Sequence, residues 1–190
     1  MITVENQSFS LHTRHTSYLF RIMETGHLEH LYYGRKIHPS IDGLMEQHAF
    51  APGNTNIYDS GHPQFSLEDT CLEMSSLGKG DIREPFVELT LSDGSETSDF
   101  LFEKFEQGTG KEEFETLPGS YDESGEVERL SMTLRDKNSG VVLELHYYVY
   151  EDCDVITRSA KLINESGDAV KLNRLMSLQL DLEPSDYVFT

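Results

Sequence analysis

The sequence has no tryptophan, only two cysteines, and 15 basic residues against 34 acidic ones. Each shortage closes off a class of protein. Cys71 and Cys153 are too few and too far apart for a disulfide framework or a zinc knuckle, so both are expected reduced and partly buried. A formal net charge of −19 repels phosphate, which argues against nucleic acid and acidic membrane as partners. No apolar run approaches the roughly 18 residues of a membrane helix. The opening Met1-Ile2-Thr3-Val4-Glu5-Asn6 has neither the basic nor the apolar region of a secretory leader, so the expected location is cytoplasmic. Helical periodicity is also almost absent.

What is present is period-two alternation. Leu130, Met132 and Leu134 alternate with polar neighbours. The run Asp136-Lys137-Asn138-Ser139-Gly140 then turns the chain into a second strand, with Val141, Leu143, Leu145, Tyr147 and Val149 on its core face. Ile156, Arg158, Ala160 and Leu162 share a face in the next strand. A long final strand is predicted from Val170 to Leu182, interrupted by an inward Arg174 that needs a partner. Earlier, Tyr18, Phe20 and Ile22 turn at Gly26 into Leu28, His30 and Tyr32. Residues 86–91 and 100–105 read as a third antiparallel pair. About a dozen strands at this spacing predict an all-β fold, a large antiparallel two-layer β-sandwich filling residues 1–190 as one domain.

The region from His38 to Glu68 lacks alternation and reads as a loop. Loops beyond about 12 to 15 residues are uncommon in compact domains and are often functional. Gln47, Asn54, Asn56, Tyr58 and Asp59 supply the donors, acceptors and aromatic ring with which proteins grip sugar hydroxyls, and they are the substrate-binding candidates.

Other chemistry is harder to find. Seven of the eight histidines lie in the first 62 residues, yet His27 and His30 fall on opposite faces of a predicted strand and lack a cysteine or carboxylate cluster, so no metal site is expected. No nucleophile elbow or phosphate loop occurs. The acids densest between Glu112 and Glu128 read as a solvated face.

The stretch Leu77-Gly78-Lys79-Gly80-Asp81-Ile82-Arg83-Glu84-Pro85 reads as a fixed corner. Its glycines permit unusual backbone angles, Pro85 locks its own φ, and Ile82 is expected to anchor the corner inside. Asp81, Arg83 and Glu84 are expected to hold one another as a structural cluster. The sharper alternative is a corner that presents Arg83 to a partner or ligand.

The run Gly80-Asp81-Ile82-Arg83-Glu84-Pro85 also resembles the Gly-Asp-Phe/Ile-Arg-x-Pro signature of the N-terminal domain of glycoside hydrolase family 36, the microbial α-galactosidases. Four further blocks match in order: Gly26 to Arg35, Leu117-Pro118-Gly119-Ser120-Tyr121, Asp154 to Ser159 with Asn164, and Ser177-Leu178-Gln179-Leu180-Asp181. The resemblance implies a supersandwich of the galactose-mutarotase-like kind. It also implies a (β/α)8 barrel, absent from this chain, that holds both catalytic aspartates of a retaining mechanism. On this reading the chain has no catalytic residue, metal or cofactor, and the complete enzyme removes terminal α-galactosyl units from melibiose and raffinose. It further implies a homotetramer in which the 38–68 loop walls a neighbour's active site. The rival reading is a stand-alone carbohydrate-binding or mutarotase-like sandwich.

Overall fold

Ten strands and two three-residue 3-10 helices account for the regular structure of the computed structural model, which describes residues 1–38, 43–45, 56–114, 116, 118–123 and 125–182. β1 (Ile2–Glu5), β2 (Ser8–His12), β3 (Thr16–Ile22) and β4 (Leu28–Arg35) form one antiparallel meander. β6 (Phe100–Thr109), β7 (Glu128–Asp136), β8 (Val142–Tyr150) and β9 (Val155–Ile163) form a second. The apolar positions of both sheets meet in one core: Phe9, Leu11 and Phe20 from the first, Leu130, Met132, Leu143, Leu145 and Tyr147 from the second. The all-β antiparallel sandwich follows from that alternation, because each sheet has an apolar face that only the other can cover.

The third sheet departs from the sequence reading. β5 (Val87–Thr90) pairs with β10 (Lys171–Leu175), and β6 pairs with β7 rather than with β5. The turn at Asp93-Gly94 is present, with Leu91 N–H bonded to the Ser95 carbonyl, but the chain then leaves the ladder. Phe86, Val87 and Leu89 join the common core through this two-stranded pair.

The predicted long final strand is only five residues long, with a bulge between Leu172 and Arg174. Beyond it the Gln179 side chain accepts from Ser75 Oγ and Asp181 accepts from the backbone of Leu72, which draws the chain out of the sheet. Leu175 and Leu180 pack on the core, whereas Leu172, Met176, Leu178 and Leu182 are exposed. Arg174 finds its partners in Glu84 and Glu88. Cys71 is half-buried, and Cys153, against expectation, is exposed in the turn before β9.

Candidate functional site

The segment from Asn56 to Phe65 has no strand of its own and is tied to the body by side chains. Tyr58, only 6% exposed, donates its hydroxyl to Asp99 Oδ2 at 2.8 Å. The other oxygen, Oδ1, meets His27 Nε2 at 3.1 Å, and His27 Nδ1 lies 2.9 Å from Thr25 Oγ1. The His27 ring stands edge-on to Tyr58, with centroids 4.8 Å apart. Lys79 Nζ lies 4.8 Å and Lys137 Nζ 5.9 Å from the centroid of the same ring. With Phe65, Leu67 and Leu72, Tyr58 builds a second, smaller apolar cluster.

The charges in this clasp are fixed by their neighbours. Burial and then Asp99 push the Tyr58 phenol above its ordinary range, so it remains a donor. Burial alone would raise Asp99, but the His27 and Tyr58 hydrogen bonds outweigh it and hold the carboxyl below the usual range.

Of the loop residues proposed to grip a sugar, Gln47 and Asn54 lie outside the described residues. Asn56 donates to Glu68 at 3.3 Å. Asp59 Oδ1 accepts from the backbone of Gly61 and His62, each at 2.9 Å, and meets His62 Nδ1 at 2.8 Å. The His62 contact, foremost, lowers the Asp59 carboxyl. Tyr58 points inward with its hydroxyl committed to Asp99, so its ring presents no open face for stacking on a sugar. A groove of about 420 Å³ separates residues 61–65 from the β3–β4 turn, lined by Arg21, Glu24, Thr25, His62, Gln64 and Phe65 among others.

The 77–85 corner is built around Arg83. All five guanidinium donors are used: Nε and Nη2 on Asp81 at 3.0 and 2.9 Å, Nη2 on the Leu67 carbonyl, and Nη1 on the Thr70 carbonyl and Asp181. Glu84 lies outside this cluster and pairs with Arg174. Ile82 is 81% exposed, so the interior anchor is the arginine and not the isoleucine. Gly78, Lys79 and Gly80 all have positive φ, of 101°, 59° and 83°. At Gly78 a side chain would collide with Thr97, whose Cγ2 lies 2.6 Å from the position of an added Cβ.

A polar centre that the sequence reading did not single out lies inside the sandwich. Glu73 is fully buried and accepts from Tyr18 at 2.8 and 2.9 Å, Tyr147 at 2.6 Å and His30 Nδ1 at 2.8 Å. Arg158 Nη1 stands 3.3 Å from the same carboxylate, and Nη2 donates to the Glu73 carbonyl at 2.6 Å. The guanidinium lies against Phe86 and Tyr147, 5.4 and 5.1 Å from their centroids. Burial alone would raise the Glu73 carboxyl, but the Arg158 charge and the His30 and Tyr147 donors more than offset it and hold it below the usual range. The signal was an arginine on an otherwise apolar face, Ile156, Arg158, Ala160 and Leu162. Among the described residues no group of three or more His, Cys, Asp or Glu is arranged to hold a metal.

Residues 26–190 match the glycosyl hydrolase family 36 N-terminal domain. The chain is 33% identical over 180 residues to the bifunctional α-galactosidase/sucrose kinase AgaSK of Mediterraneibacter gnavus, covering 94% of this chain and 19% of that protein. Its fold superimposes on the α-galactosidase of Lactobacillus brevis with a TM-score of 0.86 at 35% identity, covering 92% of this chain and 24% of that one. A variant of the family 36 α-galactosidase AgaA of Geobacillus stearothermophilus, solved in complex with raffinose, gives a TM-score of 0.84 at 30% identity, covering 95% and 25%. The chain thus spans about a fifth to a quarter of the length of the curated relatives it matches. With the match running from β4 to β10 and taking in the corner and the Asn56 segment, the chain belongs to the glycosyl hydrolase family 36 N-terminal domain family.

Proposed function

We propose that this domain is the non-catalytic N-terminal part of a retaining, cytoplasmic α-galactosidase that hydrolyses terminal α-galactosyl units of melibiose- and raffinose-type oligosaccharides. The observation that carries this reading is the coverage: the match fills the chain but only about a fifth to a quarter of relatives that are themselves α-galactosidases. A catalytic (β/α)8 barrel then follows in the complete protein and contributes the two carboxylates. The buried acids support this assignment, since Glu73, Asp81 and Asp99 are each committed to internal partners. The exposed row of Leu172, Met176 and Leu178 fits burial against such a neighbouring domain.

In the assembled enzyme, a homotetramer on this reading, the segment that includes Asn56 and Asp59 walls the active site of a neighbouring subunit. The complete protein should release galactose from raffinose and from a nitrophenyl α-galactoside, and the 190-residue chain alone should not. Turnover by the isolated chain, abolished by a substitution within it, would overturn the assignment. Raffinose binding by the isolated chain without turnover would favour a carbohydrate-binding module.

A further inference from the structure

We infer that Tyr58 is a positioning residue, a peg that fixes Asn56 and Asp59 against the body of the domain for contact with substrate. The inference rests on the proposed role of this segment in walling a neighbour's site.

Tyr58 lies two residues from Asn56 and next to Asp59, so a fixed Tyr58 backbone leaves those side chains little freedom. Its amide donates to the Phe65 carbonyl at 2.8 Å, which closes the 58–65 segment into a compact loop. Its hydroxyl crosses to Asp99, at the foot of β6, and its ring is held edge-on by His27 at the start of β4. Two residues that directly precede strands of opposite sheets therefore hold one loop residue. Asp99 is itself held: its amide donates to Asp136 at 2.6 Å, and its carbonyl accepts from Lys137 at 2.9 Å.

The hydroxyl separates positioning from space filling. A phenylalanine would fill the cluster with Phe65 and Leu72 equally well. Only the tyrosine reaches the carboxylate, and a hydrogen bond to a charged group is among the stronger directional contacts available to a loop. Phe65 also links the peg to the groove beside it. Its ring centroid lies 5.7 Å from that of Tyr58, and it lines the same wall as His62 and Gln64. Releasing the hydroxyl should therefore loosen the groove wall together with Asn56 and Asp59.

The test uses the complete protein and steady-state hydrolysis of raffinose. Tyr58→Phe should raise KM about two- to tenfold, the range expected when a single hydrogen bond from Asn56 or Asp59 to substrate is weakened, with kcat held and the circular dichroism unchanged. Asn56→Ala and Asp59→Ala should raise KM as well. Combining Tyr58→Phe with Asn56→Ala should raise it by less than the product of the single effects, because the peg acts through the residue already removed. If Asn56→Ala or Asp59→Ala raises KM and Tyr58→Phe does not, the peg is refuted while the wall stands. If none of the three changes KM, the wall reading fails and the peg falls with it. A lower unfolding midpoint for Tyr58→Phe at unchanged KM would mark the hydroxyl as a stability contact only and overturn the proposal.

Discussion

Replacing Arg158 with methionine should destabilise the domain more than most single substitutions, because it leaves a carboxylate charge in the core without its counterion. The Arg158 side chain is 5% exposed and that of Glu73 is 0% exposed, so neither group has water to fall back on. Breaking a buried ion pair from one side costs about 3–5 kcal/mol. At the 2–4 °C per kcal/mol typical of a chain this long, the thermal midpoint should fall by about 6–20 °C. Urea titration followed by circular dichroism gives the same quantity at constant temperature. The double variant Glu73→Gln with Arg158→Met should recover part of the loss, since removing both charges avoids the stranded one.

The pH dependence gives an independent check. In the parent, Glu73 titrates below the ordinary carboxyl range, so its contribution is full above that range and is lost as pH falls through the folded value. Without Arg158 the strongest of the groups that hold the carboxyl down is gone, so the folded value rises relative to the parent and the variant should lose ground to the parent as pH rises through the acidic range toward neutrality. A single-variant cost below about 1 kcal/mol, or a deficit independent of pH, would show that Glu73 does not depend on Arg158.

Three further comparisons test other parts of the structure. Arg83→Ala should cost about 2–5 kcal/mol and Arg129→Ala at most about 1; their side chains are 24% and 27% exposed, but Arg83 satisfies five donors where, among the described residues, Arg129 pairs with Glu112 alone at 2.8 Å. Equal shifts in the urea midpoint would show that partner number does not matter at this corner. Gly78→Ala should destabilise about 1–3 kcal/mol more than Gly94→Ala, because both have positive φ but only Gly78 faces Thr97, while nothing lies within 4 Å at Gly94; matching thermal midpoints would place the whole cost in the backbone. Asp154 bonds His15, foremost, and Thr13, which lowers its carboxyl from 3.8 to about 2. Its contribution is therefore present above about pH 4 and lost toward pH 2, and the stability gap between parent and Asp154→Asn should close across that window. Asparagine tolerates the left-handed backbone at this position as aspartate does, so a gap that persists below pH 2 would point to lost hydrogen bonds to Thr13 and His15 rather than to the carboxylate charge.

Local pattern alone was enough for the β3–β4 and β7–β8 hairpins, but not for β1, β2 or the pairing of β6 with β7. Strands such as Leu130 to Val149 alternate visibly, and their turns carry Gly26 and Asn138-Ser139-Gly140, so neighbours in sequence pair in space. Five short blocks, read together, also pointed to the right family. The pairing of β5 with β10 was not legible, because Val87 and Leu175 are 88 positions apart and any apolar strand satisfies the pattern equally well. For the same reason Val170 to Leu182 read as a strand: alternation records which residues are apolar, and only tertiary contacts from Gln179 and Asp181 decide where the ladder stops. Partners of charged residues were harder still. Arg83 lies two positions from Asp81 but 98 from Asp181, and Glu73 gathers Tyr18, His30, Tyr147 and Arg158 from four strands. Tyr58 is polar by composition and was assigned to a sugar, yet the fold brings Asp99 and His27 to it from both sheets and turns it inward. Sequence settles what a residue can bond to; chain folding settles which of those partners arrives.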